Sequence, residues 1–89
     1  MPHANLQDDL NEAADEEMAK AADLTWRELA KVIPWGDTFE GITPAGREVV
    51  FERNYLWAAE EAGDICVEVS VYQVHAFEQG VKRTRLIPQ

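Results

Sequence analysis

The sequence predicts an α+β fold in which an N-terminal helix packs across an antiparallel meander of three or four strands. Three observations lead there. Apolar residues recur every three or four positions as far as Ile33, Pro34 interrupts that pattern, and from Thr38 onward the apolar period is two. The chain has no internal repeat and no Ser/Gly linker, so residues 1–89 read as one small domain, with a helical part at about 5–33 and a sheet part at about 38–87.

In the helical part, Asn5 precedes Asp8, Asp9 and Glu12, a capping side chain followed by acids that the N-terminal end of a helix dipole favours. Leu6, Leu10, Ala14, Met18 and Ala21 or Ala22 then form an apolar stripe. The stripe is rich in alanine and would hold a helix to a sheet only weakly. The rest of the helix surface is Asp and Glu. Thr25 and Glu28 have the spacing of a capping box, with Leu24 and Leu29 placed as a hydrophobic staple. A second helix over about 26–33 follows, either kinked from the first near residues 23–25 or continuous with it, and its inward residues are Trp26, Leu29, Ala30 and Ile33. Residues 25–30 resemble the first helix of many helix-turn-helix domains. The sequence after Pro34 is strand-like, however, and supplies no recognition helix for a major groove.

In the sheet part, Thr38 to Ile42 reads as a short strand, and Thr43-Pro44-Ala45-Gly46 has the Pro and Gly positions of a type I turn. Residues 47–58 form a stronger strand with Val49, Phe51, Arg53, Tyr55 and Trp57 on one face. A turn at Glu60-Glu61-Ala62-Gly63 leads to residues 65–77, where Ile65, Val67, Val69 and Val71 share a face. Tyr72, Val74 and Ala76 then carry the apolar pattern on the other face, which predicts a bulge near residues 71–72 or a second buried surface. Glu78-Gln79-Gly80 reads as a turn into a last strand, 81–87, whose Lys82, Arg83 and Arg85 suit a sheet edge. The middle strands are apolar on both faces while one thin helix covers one of them, so a homodimer burying the other face is expected.

The charge balance narrows the function classes. Seventeen Asp and Glu against eight Lys and Arg give −9 over 89 residues. The acidity is concentrated at the front: residues 1–23 carry −6, residues 24–63 carry −3 and residues 64–89 are neutral. A chain of this sign lacks the broad basic face that direct nucleic-acid binding or an anionic membrane surface requires. The single cysteine, Cys66, closes no disulfide within the chain, and no cluster suggests a metal or another cofactor. The first residues have neither the basic nor the apolar region of a signal peptide, and no apolar run approaches the roughly 18 residues of a membrane helix. A soluble, cytoplasmic protein is expected.

Few residues carry chemistry. Trp35-Gly36-Asp37 reads as a loop with a rigid aromatic beside a carboxylate. Arg53 sits mid-strand on an apolar face, where a guanidinium needs a partner because it does not neutralise. Three uses compete for it: stacking on Tyr55 or Trp57, a salt bridge to a helix acid such as Glu17, or an anion site. Trp35, Phe39, Tyr55 and Trp57 would line a small pocket with Arg53 or Asp37 as polar anchors. His75 is a lone imidazole towards the end of the long strand, and His3 lies in an N-terminal segment expected to be mobile. No spacing makes them a metal pair. Ser70, the sole serine, is mid-strand, and there is no glycine-rich phosphate loop, so no enzyme is expected. The basic cluster Lys82, Arg83 and Arg85 is matched by the acidic helix residues Glu12, Asp15 and Glu16, of the same chain or of a second copy. These features predict a small acidic interaction module without enzymatic activity. A small-molecule binder with an aromatic-lined pocket, between helix and sheet or at a dimer interface, is the alternative, and an acidic inhibitor mimicking nucleic-acid charge the lesser one.

Overall fold

A computed structural model describes residues 5–89, and His3 lies outside them. Two helices, α1 (Leu6–Ala21) and α2 (Trp26–Ala30), precede four strands, β1 (Trp35–Ile42), β2 (Glu48–Trp57), β3 (Ile65–Gln73) and β4 (Ala76–Ile87). All neighbours pair antiparallel in the order β1-β2-β3-β4, a meander with β1 and β4 at its edges. The α+β arrangement read from the sequence is the one observed.

Both helix starts are held by the caps their sequences provide. Asn5 Oδ1 accepts the Asp8 N–H at 2.8 Å. Thr25 Oγ1 accepts the Glu28 N–H at 3.2 Å while Glu28 Oε1 accepts the Thr25 N–H at 3.1 Å, so the capping box is complete and the helical part is split into two helices. α2 stops at Ala30, short of Pro34, and Leu24 remains exposed instead of closing a staple.

Odd-numbered residues of the strands face the helices. Val49, Phe51 and Tyr55 of β2, Ile65, Val67, Val69 and Val71 of β3, and Val81 of β4 are buried there with Leu10, Ala13, Ala14, Met18, Ala21 and Leu29. Each fully buried valine or isoleucine contributes about 1.5–3 kcal/mol of transfer free energy, and β3 supplies four in succession. α1 lies over β3 and β4.

Four further details depart from the sequence reading. β1 begins at Trp35, so Trp35-Gly36-Asp37 is strand and not loop. The β3–β4 hairpin turns at Val74 and His75, not at residues 78–80, which places His75 in an exposed turn. The register runs Val71↔Val81 and then Gln73↔Ala76, so β4 has surplus residues opposite the expected bulge. The turn-like residues Glu78-Gln79-Gly80 belong to that bulge. Lastly, the buried stripe of α1 includes Asp9, which the sequence places among the solvated acids, together with Glu17, which it names as a partner for Arg53.

Asp9 explains why an acid sits at the core's edge. Its carboxylate is fully buried and accepts the Thr43 hydroxyl, the Ala45 N–H at 3.0 Å and Arg47 Nη1 at 2.8 Å. Thr43 Oγ1 in turn accepts the Arg47 N–H at 3.0 Å, and Gly46, at φ +91°, lets the turn close. The first turn of α1 is thereby fastened to the β1–β2 turn. Burial alone would push the Asp9 carboxyl up, but the bonds from Thr43 and Arg47, the Ala45 N–H and the charge of Arg47 outweigh it and hold the group below the usual carboxylate range.

Replacing this carboxylate removes the partner of a charged group in a water-poor site. Asp9→Ala is expected to cost about 3 kcal/mol, seen as a lower urea midpoint at unchanged slope. Because folding lowers this pKa, the stabilisation is complete above the unfolded value of about 3.9 and is lost as pH falls through the folded value. Wild type should therefore lose stability more steeply below about pH 4 than Asp9→Asn does.

Candidate functional site

The sheet has two unlike faces, and the residues picked out by the sequence divide between them. On the helix side, the β1–β2 register sets Trp35 opposite Tyr55, Asp37 opposite Arg53 and Phe39 opposite Phe51. Arg53 Nε donates to Asp37 Oδ1 at 2.8 Å and Nη2 donates to Oδ2, a two-pronged pair. Nη1 lies 3.5 Å from Glu17 Oε2 on α1. The guanidinium is 5.0 Å from the Phe39 ring centroid and 5.5 Å from that of Trp35. Trp35 packs on Tyr55 with centroids 5.3 Å apart, and Phe39 stacks on Phe51 at 5.2 Å. Gly41 is needed beside this stack, because a Cβ there would come within 2.7 Å of the Phe51 ring.

Two of the three uses foreseen for Arg53 are thus combined, with the rings being Trp35 and Phe39 and not Tyr55 or Trp57. The bond from Arg53 holds the Asp37 carboxyl below its ordinary value against the opposing effect of burial, and the same bond raises the Arg53 pKa. Tyr55 donates its hydroxyl to the Ala21 carbonyl at 3.1 Å, and burial pushes its phenol up. Trp57 stands apart: its ring lies 6.1 Å from that of Trp26, whose Nε1 donates to the Gly63 carbonyl at 2.9 Å and ties α2 to the β2–β3 turn. Among the described residues no buried side-chain N or O lacks a hydrogen-bond partner. The ladder is satisfied by its own members, and Trp35, 42% exposed, is its open end.

The residues expected to form an interaction surface are also distributed over both faces. Arg83 reaches up to α1, with Nε donating to Asp15 at 3.0 Å and Nη2 to Asn11 at 2.7 Å. The match between basic strand and acidic helix is therefore made inside the chain at this position. Glu12 and Glu16 are exposed on α1, and Arg85 is exposed on β4. Lys82 points to the opposite face, where Nζ lies 3.5 Å from Glu68 Oε2.

No protein family, curated protein or solved structure matches this chain. Its function must be argued from geometry alone.

No helix of the described residues is long and apolar enough to cross a membrane, and no three of their His, Cys, Asp and Glu side chains gather as a metal site.

The face turned away from the helices is the one the sequence expects a second copy to bury. Its centre is a shallow depression of about 310 Å³ bordered by Glu52, Asn54, Glu68, Ser70, Tyr72 and Lys82. Tyr72 donates its hydroxyl to Glu52, which raises the phenol pKa. At one end the register aligns Leu56, Cys66 and Leu86 in a row across three strands. Leu56 and Leu86 are 40% and 57% exposed. At the other end Ile42 and Val74 border a second hollow with Glu40 and Glu48. Burial first, then the charge of Glu68, pushes the Cys66 thiol up.

Arg53 anchors the helix-side ladder, and its loss leaves the nearly buried Glu17 and the half-buried Asp37 without their cation. Arg53→Leu should cost about 3 kcal/mol in chemical denaturation. Arg53→Lys keeps the charge but not the fork, and should recover less than half of that loss.

Proposed function

We propose that this chain is a small non-enzymatic interaction module that engages a protein partner through the uncovered face of its sheet. The observation that carries the reading is the one-sided coverage: both helices pack on the odd-numbered face, while Leu56, Leu86 and Ile42 project from the other. A row of apolar groups at one end of a polar centre and exposed Ile42 and Val74 at the other have the layout of a protein contact, with anchors and an interior of hydrogen-bonding groups.

Charge selects the partner. Glu40, Glu48, Glu52 and Glu68 share this face with Lys82. A second copy docked face to face would set these glutamates against one another, and like charges so placed cost affinity. A basic protein surface meets both the carboxylates and the apolar groups. The small-ligand reading has less support, since a ligand at Arg53 must displace Asp37 and Glu17 from a cation they already share. Charge mimicry toward a nucleic-acid-binding protein is contained in this proposal as one kind of basic partner.

The test is differential capture from the native cell lysate. Leu56→Arg and Leu86→Arg project into solvent and should leave the thermal midpoint within a few degrees of wild type. Each should abolish capture of proteins that wild type retains, while Glu16→Gln on the outer face of α1 leaves that capture intact. Equal capture by wild type and the two arginine variants would exclude the face as the contact.

A further inference from the structure

The two edges of the sheet are complementary to each other, and we infer that a second copy of this chain pairs its β1 with the β4 of the first, head to tail. This concerns the strand edges and does not rest on the partner proposed above, although Glu40 and Lys82 lie on the uncovered face and Lys82 already lies 3.5 Å from Glu68.

Backbone geometry permits the pairing. Thr43 N–H donates to the Arg47 carbonyl at 2.9 Å, in phase with the β1–β2 ladder, so odd-numbered residues of β1 bond to β2 and even-numbered ones direct their N–H and C=O groups outward. Ala58 N–H donates to the Asp64 carbonyl at 2.9 Å, which fixes the phase of β2–β3 and, through it, of β3–β4. The outward residues of β4 are then even-numbered as well. β1 and β4 run in opposite directions within the meander, so a copy added by simple repetition meets its neighbour antiparallel, and the sheet continues unbroken.

Side chains choose the register. With Glu40 opposite Lys82, the same alignment sets Asp37 opposite Arg85, Thr38 opposite Thr84 and Trp35 opposite Ile87. Glu40 and Lys82 both lie on the uncovered face; Asp37 and Arg85 both lie on the helix side. Shifting by two residues in one direction sets Glu40 against Thr84 and Asp37 against Ile87, and in the other sets Glu40 against Gly80. Either shift loses at least one ion pair. Glu40 and Arg85 are exposed, and Trp35, 42% exposed, would gain cover from Ile87. Asp37 already accepts from Arg53 through both oxygens, yet a carboxylate has lone pairs left for a second guanidinium. Pairing β4 with β4 brings bases near bases and β1 with β1 brings acids near acids, and neither gains an ion pair, so each edge favours the other over itself. Such a contact is heterologous and extends to a filament or closes as a ring.

Two measurements decide it. A Thr38→Cys chain is mixed with a Thr84→Cys chain under mild oxidation, and the disulfides are mapped by peptide mass. The proposal expects the 38–84 link to dominate, because facing residues of an antiparallel pair are about 5.5 Å apart between Cα atoms, within disulfide reach. Dominant 38–38 or 84–84 links, or no link while circular dichroism shows both chains folded, would overturn it. In sedimentation at up to millimolar chain, Lys82→Glu and Glu40→Lys should each weaken association roughly tenfold, and the double variant should restore it to within about twofold. Glu40→Lys reduces the net negative charge, so repulsion alone would make it associate more tightly. That result, or a strictly monomeric wild type, would also sink the inference.

Discussion

The fold depends on an ionic fastening between an acidic helix and the sheet beneath it. The apolar side of α1 is mostly alanine, with Leu10 and Met18 as its large fully buried groups. So little hydrocarbon gives a helix weak purchase on a sheet. Arginines supply the rest from positions that straddle it. Arg47 holds Asp9 at the first turn, Arg53 reaches Glu17 from β2, and Arg83 reaches Asp15 from β4. They are not equal. The Asp9 pair is buried and carries three donors, so its removal leaves polar groups stranded, whereas the Arg83–Asp15 pair is solvent-exposed and contributes at most about 1 kcal/mol. The clamp at the N-terminal end is therefore the strongest of the three ties between α1 and the sheet.

This fastening reinterprets the acidity of the front segment. Apart from Glu17, named as a partner for Arg53, the sequence reading treats the acids of residues 1–23 as an outer helix face open to docking by this chain or a second copy. In the fold, Asp9 and Glu17 are turned inward and Asp15 is engaged, leaving Asp8, Glu12 and Glu16 as the outward acids of α1. Recognition is accordingly proposed for the sheet and not for the helix. There the carboxylates of Glu52 and Glu68 are held by Tyr72 and Lys82 in defined positions and are flanked by exposed leucines.

What was legible in the sequence follows from how local each signal is. The capping box at Thr25 and Glu28, the turn at Thr43 to Gly46 and the alternation through Ile65 to Val71 are set by residues a few positions apart, and all three appear as read. The Asp37–Arg53 pair was legible in part: an unneutralisable cation on an apolar strand face demanded a partner, and Glu17 could be named, but cross-strand register was needed to find Asp37. The clamp at Asp9 was not legible. Its partners lie 34 to 38 residues away, and one aspartate among several in an amphipathic acidic run has no local mark of burial. The β3–β4 hairpin was misplaced for a related reason. Glu78-Gln79-Gly80 has turn composition, but a bulge makes use of the same residues, and the choice between them is settled by Val81 having to face the core opposite Val71.

The same demand of register bears on why the chain can leave two strand edges open. An exposed edge is a template for any other edge, and the usual defence is charge. Here the defence is divided by sign, with acids on β1 and bases on β4. On the pairing inferred above, each edge favours its opposite over its own kind. In that pairing the bases that the sequence suggests as protection are selective and not merely repulsive. The distinction rests on alignment: Glu40 and Asp37 lie three residues apart on opposite faces of β1, as Lys82 and Arg85 do on β4, so one register satisfies both pairs at once. Had either pair been spaced by two, both charges would lie on one face and a single lateral slip would leave the other face unspecified.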